Sequence, residues 1–400
     1  MLTVDEVYER LLAVAPRVLE SEILPLAQCD NRVLAEDVIA DLDVPPHDNS
    51  AMDGYAVRSA DITACGTRLR VSQRIPAGSM GTELEPGTAA RIFTGAPVPP
   101  GADAVVMQED TAADGDYVVI NIVPPPGESV RKRGEDISAG KPILRAGHHL
   151  RPQELGLAAS IGVAELTVFR RLRVATFSTG DELVLPGKPL GPGQIYNSNR
   201  YTMFGLLARM GCEVVDLGVV EDTLEATKAA LTEAAAKADL ILTSGGVSVG
   251  EEDHLKPAVE SLGSLDLWRI AMKPGKPLAY GSVNGTPFIG LPGNPVSVFA
   301  TFLLFARPFL RTMMGIERAL PEAIRVEAGF DWPKPGKRQE YLRARLRRGG
   351  DGHAIATLYP HQGSGVLTST VWADGLVIVP IGETVAIGDR VQYLPFGDLL

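Results

Sequence analysis

Val4, Val7, Leu11, Leu12 and Ala15 recur at helical spacing, and Thr3 with Glu6 supplies a capping start. The segment 1–40 therefore reads as helical until the prolines of VPPH at 44–47 break it. From there to about residue 139 the chain changes character. Glycines and prolines recur every few residues, and short β-prone runs at 69–75, 90–94, 104–108 and 117–123 lie between them. That is the pattern of a small all-β unit. From Arg171 the rhythm becomes strand, helix, strand, helix. Runs at 172–178, 213–220, 239–244 and 288–291 predict strands, while 201–210, 224–237 and the stretch after Pro295 predict helices. In the first of these helices Met203, Leu206, Leu207 and Met210 share a face, and Gly211 ends it. Alternation at these lengths predicts an α/β layer around a mainly parallel sheet. After Gly315 short strands return at 343–346, 376–380 and 390–394, predicting a second β module.

Composition narrows the class. The 400 residues are 45% apolar and 22% charged, which excludes disorder or coiled coil for the whole chain and suggests two to three domains. Against 38 Lys+Arg stand 49 Asp+Glu, a net charge of −11. A general nucleic-acid binder would carry a basic footprint instead. An anionic small substrate remains compatible if a local basic pocket overcomes the global field. Cys29, Cys65 and Cys212 form no CxxC pair, so neither a disulfide framework nor a structural zinc is expected. Asp5, Glu6, Glu9 and Arg10 interrupt any signal-peptide pattern. The apolar run 296–306 falls short of the roughly 20 residues a membrane span needs. The expectation is a cytoplasmic protein with no membrane or nucleic-acid partner.

Ligands of open parallel sheets collect beyond the carboxyl ends of the strands, and four sequences fall at such ends. They are Ser178-Thr179-Gly180-Asp181-Glu182, Asp222, the glycine loop 243–250 with Ser244, Gly245, Gly246 and Ser248, and Pro292-Gly293-Asn294-Pro295. Each also has a plain structural reading. Asp222 with Glu225 matches a capping-box variant. Asn294-Pro295 is an N-cap followed by an N1 proline, a geometry that also exposes N–H groups to anions. Glu251, Glu252 and Asp253 match first-turn acids complementing a helix dipole. Lys273-Pro274-Gly275-Lys276-Pro277 reads either as a solvated turn or as a stiff basic clamp for phosphate. Neither a Walker pattern nor GxGxxG is present.

The runs DNSAMDGYAV, IFTGAPVPPGADAVVMQED, RKRGEDI, STGDEL, IYNSN, TSGGVSVGEEDH, MKPGKPLAYG and GLPGNPVS occur in the order seen in the MoeA family. The chain resembles these molybdopterin molybdenumtransferases, which include the C-terminal domain of gephyrin, over nearly its whole length. GKRQEYLRARL and QGSGVLTSTVWADGLVIVP extend the likeness to the closing module. Phe93, Asp374 and Glu221-Asp222 depart from the usual pattern.

The resemblance implies a multidomain architecture of α/β and β parts. Residues 1–45 with 140–170 would form an elongated linker and dimerisation domain, and 46–139 an inserted β-rich domain. Residues 171–317 would form a three-layer α/β molybdopterin-binding domain, and 318–400 a β-barrel-like module. It also implies insertion of molybdate into the dithiolene of adenylylated molybdopterin, with Mg²⁺ or a similar divalent cation and release of AMP. Glu182, Asp222 and Asp253 are then the candidate metal ligands, since Mg²⁺ takes oxygen ligands. Asp53, Thr94 and Asp136 join them as catalytic candidates. Ser178, Thr179, Gly180, Ser244, Gly245, Gly246, Ser248, Lys273, Lys276 and Pro292 to Pro295 would bind substrate, with Arg338 and Arg343 reaching it from the last module. A homodimer is implied, along with contacts to a molybdopterin adenylyltransferase and to acceptor apo-enzymes. The alternatives are a molybdopterin adenylyltransferase or a non-enzymatic cofactor carrier or scaffold.

Overall fold

The computed structural model describes residues 1–246, 254–316, 319–350 and 352–399. At its centre Glu213–Val220, Arg173–Thr179, Leu240–Ser244 and Thr286–Leu291 lie side by side in that order, all parallel. Pro277–Val283 and Gly263–Arg269 extend the sheet antiparallel. Helices cover both faces, which is why the inner strands are buried throughout. Met203, Leu206 and Leu207 of Ser198–Arg209 pack with Val174, Leu240 and Ile289 on one side. Leu231 and Ala234 of Leu224–Lys237, with Ala258 and Val259 of Leu255–Leu262, pack with Phe177, Ile241 and Phe288 on the other. The result is a three-layer α/β domain.

One expectation needs correction. The apolar run 296–306 is only part of a longer helix, Pro295–Met313, 19 residues with mean hydropathy 1.3. By length and composition that is enough to cross a membrane. However, 83% of its apolar window is buried inside the protein. Phe302, Phe305, Phe309 and Leu310 pack there with Val4, Val7 and Leu11, so this is a core helix. The N-terminal helix is correspondingly short, Val4–Val14, with Thr3 and Glu6 forming a capping box. The chain beyond it is extended: Ser21–Pro25 pairs with Glu165–Phe169, and Val38–Ile39 with Pro142–Leu144. These two distant segments, with helix Pro152–Ser160, enclose their own core of Leu34, Val38, Leu144, Leu150, Ala158 and Val168.

Between them lies a six-stranded sheet, ordered Ala104–Met107, Gly54–Val57, Thr88–Ile92, Thr67–Ile75, Tyr117–Ile120 and Thr111–Asp114. After the α/β domain, Gln339–Arg348, Ala354–Leu358, Ile324–Ala328, Arg390–Pro395 and Gly375–Val379 close on one another as a five-stranded barrel. Closure gives each of the five strands a partner on both sides. One further strand, Met272–Lys273, pairs parallel with Gln339–Arg348 and joins the barrel to the α/β domain.

Candidate active site

A cleft of about 670 Å³ opens beyond the carboxyl ends of the central strands, where the α/β domain meets the barrel. Its floor is the glycine loop. Gly245 and Gly246 have φ of 87° and 66°, a left-handed path that glycine takes at little cost. The N–H of Gly245 donates to Leu291 O at 3.0 Å, tying the loop to the neighbouring strand. Pro292, Gly293 and Asn294 form the adjoining wall. Asn199 Nδ2 donates to Gly293 O at 2.7 Å and so anchors this turn to the helix Ser198–Arg209.

The basic loop is fixed from three sides. Arg338 Nη1 donates to Met272 O at 3.2 Å, and Ile270 N donates to Lys276 O at 2.8 Å. Lys273 Nζ pairs with Glu340 Oε2 at 3.2 Å. Gly275, at φ 101°, lies so close to the core helix that a Cβ would sit 2.4 Å from Thr301 Cγ2. Lys273 and Lys276 thus face the cleft from a rigid support, Lys276 exposed and Lys273 half-buried. Arg338 completes the basic wall.

The barrel contributes residues that the sequence reading passed over: Gln362, Gly363 and Ser364, with Ser297 from the core helix. Their signal was present in QGSG and in the serine of GLPGNPVS. Gln362 grips both the N–H and the carbonyl of Arg343, at 2.9 and 3.0 Å. Val296 N donates to Ser364 O at 2.9 Å.

Arg343 has a different place from the one expected. It is 1% exposed and points inward, donating to Ser369 Oγ and to Gly363 O, both at 3.1 Å. Burial pushes its pKa down to about 10, so it stays charged at neutral pH. It holds the 362–364 loop and does not line the cleft.

Of the three candidate metal ligands, Glu182 lines the cleft, with its carboxylate folded over Gly180. Asp222 does not line it. The cap of the following helix is Thr223, whose hydroxyl accepts from Ala226 N at 3.2 Å, so the capping-box reading of Asp222 is incorrect. Asp253, like Ser248, lies outside the described residues. Ser178 and Ser244 are buried at their strand ends, and the Ser178 hydroxyl has no partner among the described residues. Thr179, Gly180 and Pro295 do not line the cleft; Pro295 is at N1 after Asn294, whose side chain makes no cap bond.

Asp53 and Thr94 do meet. Asp53 Oδ1 accepts the Thr94 N–H at 2.8 Å and its hydroxyl at 2.7 Å. These bonds, led by the backbone one, hold the Asp53 carboxyl below its usual range. Asp136 donates its N–H to Val44 O at 3.1 Å, in the loop that returns to the arm. None of these three lines the cleft.

The described cleft therefore offers two lysines, an arginine, glycine amides and a single carboxylate. Such a wall suits a multiply charged anion, since charge-assisted bonds to lysine and backbone N–H groups are the strong ones.

A parallel-sheet crevice closed by a β-barrel, with an inserted β-rich domain on an extended arm, defines a class of multidomain anion-binding protein. Three family models match in sequence: "MoeA N-terminal region (domain I and II)" over 2–162, "Probable molybdopterin binding domain" over 175–312, and "MoeA C-terminal region (domain IV)" over 325–396. The chain belongs to the MoeA family. It is 39% identical to a molybdopterin molybdenumtransferase of Haemophilus influenzae, covering 100% of both chains. It is 40% identical to molybdopterin molybdenumtransferase 2 of Mycobacterium tuberculosis, over 98% of this chain and 99% of the relative. A crystal structure of a molybdopterin biosynthesis MoeA protein from Pyrococcus horikoshii superposes with a TM-score of 0.84 at 28% identity, covering 99% of this chain and 100% of that one.

Proposed function

We propose that the cleft joins molybdenum from molybdate to the dithiolene of adenylylated molybdopterin, releasing AMP, in the synthesis of the molybdenum cofactor. The observation that carries this reading is the fixed pair Lys273 and Lys276, set in the same cleft as Gly245, Gly246 and Gly293. A pyrophosphate-bearing pterin presents the charge that such a wall would hold. The lysines bind and orient the phosphates, the glycine loop admits them close to backbone, and the 362–364 loop screens the cleft from the barrel side.

Mg²⁺ or a similar divalent cation is commonly bound by one or two carboxylates together with substrate phosphates, and it would neutralise the phosphoanhydride. Glu182 fits that donor set as the cleft carboxylate. Among the described residues there is no group of three or more acidic, histidine or cysteine side chains that would make a closed metal site.

Asp53, Thr94 and Asp136 lie outside the cleft of their own chain, which supports a homodimer in which one copy's β-rich domain serves the other's cleft. The three free cysteines, two of them buried, suit a reducing compartment such as the cytoplasm.

The deciding assay measures AMP release from adenylylated molybdopterin with and without molybdate. Molybdate-stimulated AMP release is the expected result. Pyrophosphate release on transfer of the adenylyl group from ATP to free molybdopterin would indicate an adenylyltransferase, and no turnover in either assay would indicate a carrier.

A further inference from the structure

A second basic cavity, of about 370 Å³, lies where the arm, the core helix Pro295–Met313 and the C-terminal segment meet. Its walls carry Arg151, Arg209, Arg307, Arg311 and His149, and among its described lining residues the only carboxylate is that of Asp398. This concentration of guanidinium groups stands out in a chain of net charge −11.

The groups differ in how far they are already satisfied. Arg151 is held by Glu154 at 2.7 Å and is largely neutralised. His149 is kept neutral by burial and by the neighbouring Arg311 and Arg151, and its Nε2 lies 2.7 Å from Asn31 Oδ1. Arg307 is the telling residue. It is 9% exposed, and one guanidinium nitrogen donates to the backbone carbonyl of Asp398 at 2.5 Å. The other, Nη1, is buried with no hydrogen-bond partner among the described residues. Arg311 follows one turn later on the same helix, a spacing at which like charges repel. Burial, reinforced by Arg311, pushes the Arg307 pKa down to about 10. A buried guanidinium left short of partners is costly, and a multivalent oxyanion is the species that relieves such a cost.

We infer that this cavity binds a phosphate-class dianion, either free or as the terminal group of a small phosphomonoester, at a site separate from the proposed active cleft. The unpartnered Nη1 of Arg307, with Arg311 from the same helix and Arg209 from the rim, supplies guanidinium donors for phosphate oxygens. Because the walls come from three parts of the chain, the ligand would clasp the arm, the core helix and the barrel's tail together. The site does not depend on the reading of the cleft.

The test titrates inorganic phosphate, and separately AMP, into a Lys273→Ala/Lys276→Ala protein, in which the cleft lysines no longer contribute, at constant ionic strength set with chloride. One equivalent of either probe is expected to bind still. Adding Arg209→Ala, at an exposed position, should weaken it by about tenfold or more, and so should Arg307→Met. Arg347→Ala, an exposed arginine on the barrel that removes the same charge, should leave binding unchanged. Tighter binding of AMP than of phosphate would identify a phosphomonoester, and the reverse a free ion; both support the site. Absence of binding to both probes would overturn it. So would an equal effect of Arg209→Ala and Arg347→Ala, because the attraction would then be diffuse.

Discussion

Lys273 Nζ and Glu340 Oε2 lie 3.2 Å apart, across a parallel bridge that pairs the same two residues in the backbone. Glu340 is 7% exposed, so its carboxylate depends on the lysine, while the lysine is steered to the cleft by the carboxylate. Lys276, three residues on, is exposed.

The two lysines should therefore behave differently on mutation. Lys273→Ala leaves a buried carboxylate without its cation and should cost about 1–3 kcal/mol of stability. Lys276→Ala should stay within about 0.5 kcal/mol of the parent. Both should weaken adenylylated molybdopterin more than molybdate, because lysine supplies bonds to phosphate. Urea unfolding and separate ligand titrations check this. Equal stability loss in the two variants would remove Glu340 from the account.

Much of the frame was legible in the sequence because parallel strands buried on both faces give plain apolar runs. Leu240–Ser244, buried at every position, and the helix Leu224–Lys237 fall where the sequence pattern placed them. The antiparallel pair Gly263–Arg269 and Pro277–Val283 was not legible, since the former strand is mostly exposed at the sheet edge and its alternation is confined to Ser264–Leu267. The apolar run 296–306 stops at the charge of Arg307, which only the fold shows to be buried. In the site, the lysine loop announced itself through its prolines and glycine. The inward turn of Arg343 did not, because an arginine read from sequence has no direction.

Arg343 gives the second prediction. Its guanidinium spans Ser369 Oγ and Gly363 O, and a lysine ammonium does not reproduce that fork. Arg343→Lys should cost roughly 1–3 kcal/mol of stability. It should also raise KM for the adenylylated pterin more than it lowers kcat, since the 362–364 loop shifts while Lys276 stays in place. A variant with parental stability and a pure kcat defect would instead place Arg343 among the reacting groups.

Glu154 yields a pH dependence. Burial alone would raise its pKa, but hydrogen bonds from the Arg151 side chain and N–H and from His148 prevail and hold it at about 2, against 4.5 for a free carboxyl. A depressed pKa adds stability above pH 4.5, and that gain is lost as pH falls from 4.5 toward about 2. Glu154→Gln should flatten the stability-versus-pH curve in this window by roughly 1–3 kcal/mol. Unfolding titrations of both proteins at pH 6 and across that acid range, on the order of one pH unit apart, measure it. Parallel curves for parent and variant would show that Glu154 is not held as described.

The last prediction concerns the division of the site between two copies. Asp53 and Thr94 bind each other on the β-rich domain, whereas Lys273, Lys276 and Glu182 line the cleft of the α/β domain. In a two-fold dimer the β-rich domain of one chain can cover the cleft of the other. Asp53→Ala and Lys276→Ala chains should each be poorly active alone. Mixed in equal amounts and allowed to exchange, half of the dimers are hybrids, and each hybrid carries one site with both residues intact. Activity should then rise to about a quarter of the parental level. If exchange is demonstrated by mass and activity stays at that of the separate variants, Asp53 and Lys276 serve the same within-chain site, and the dimeric arrangement is wrong.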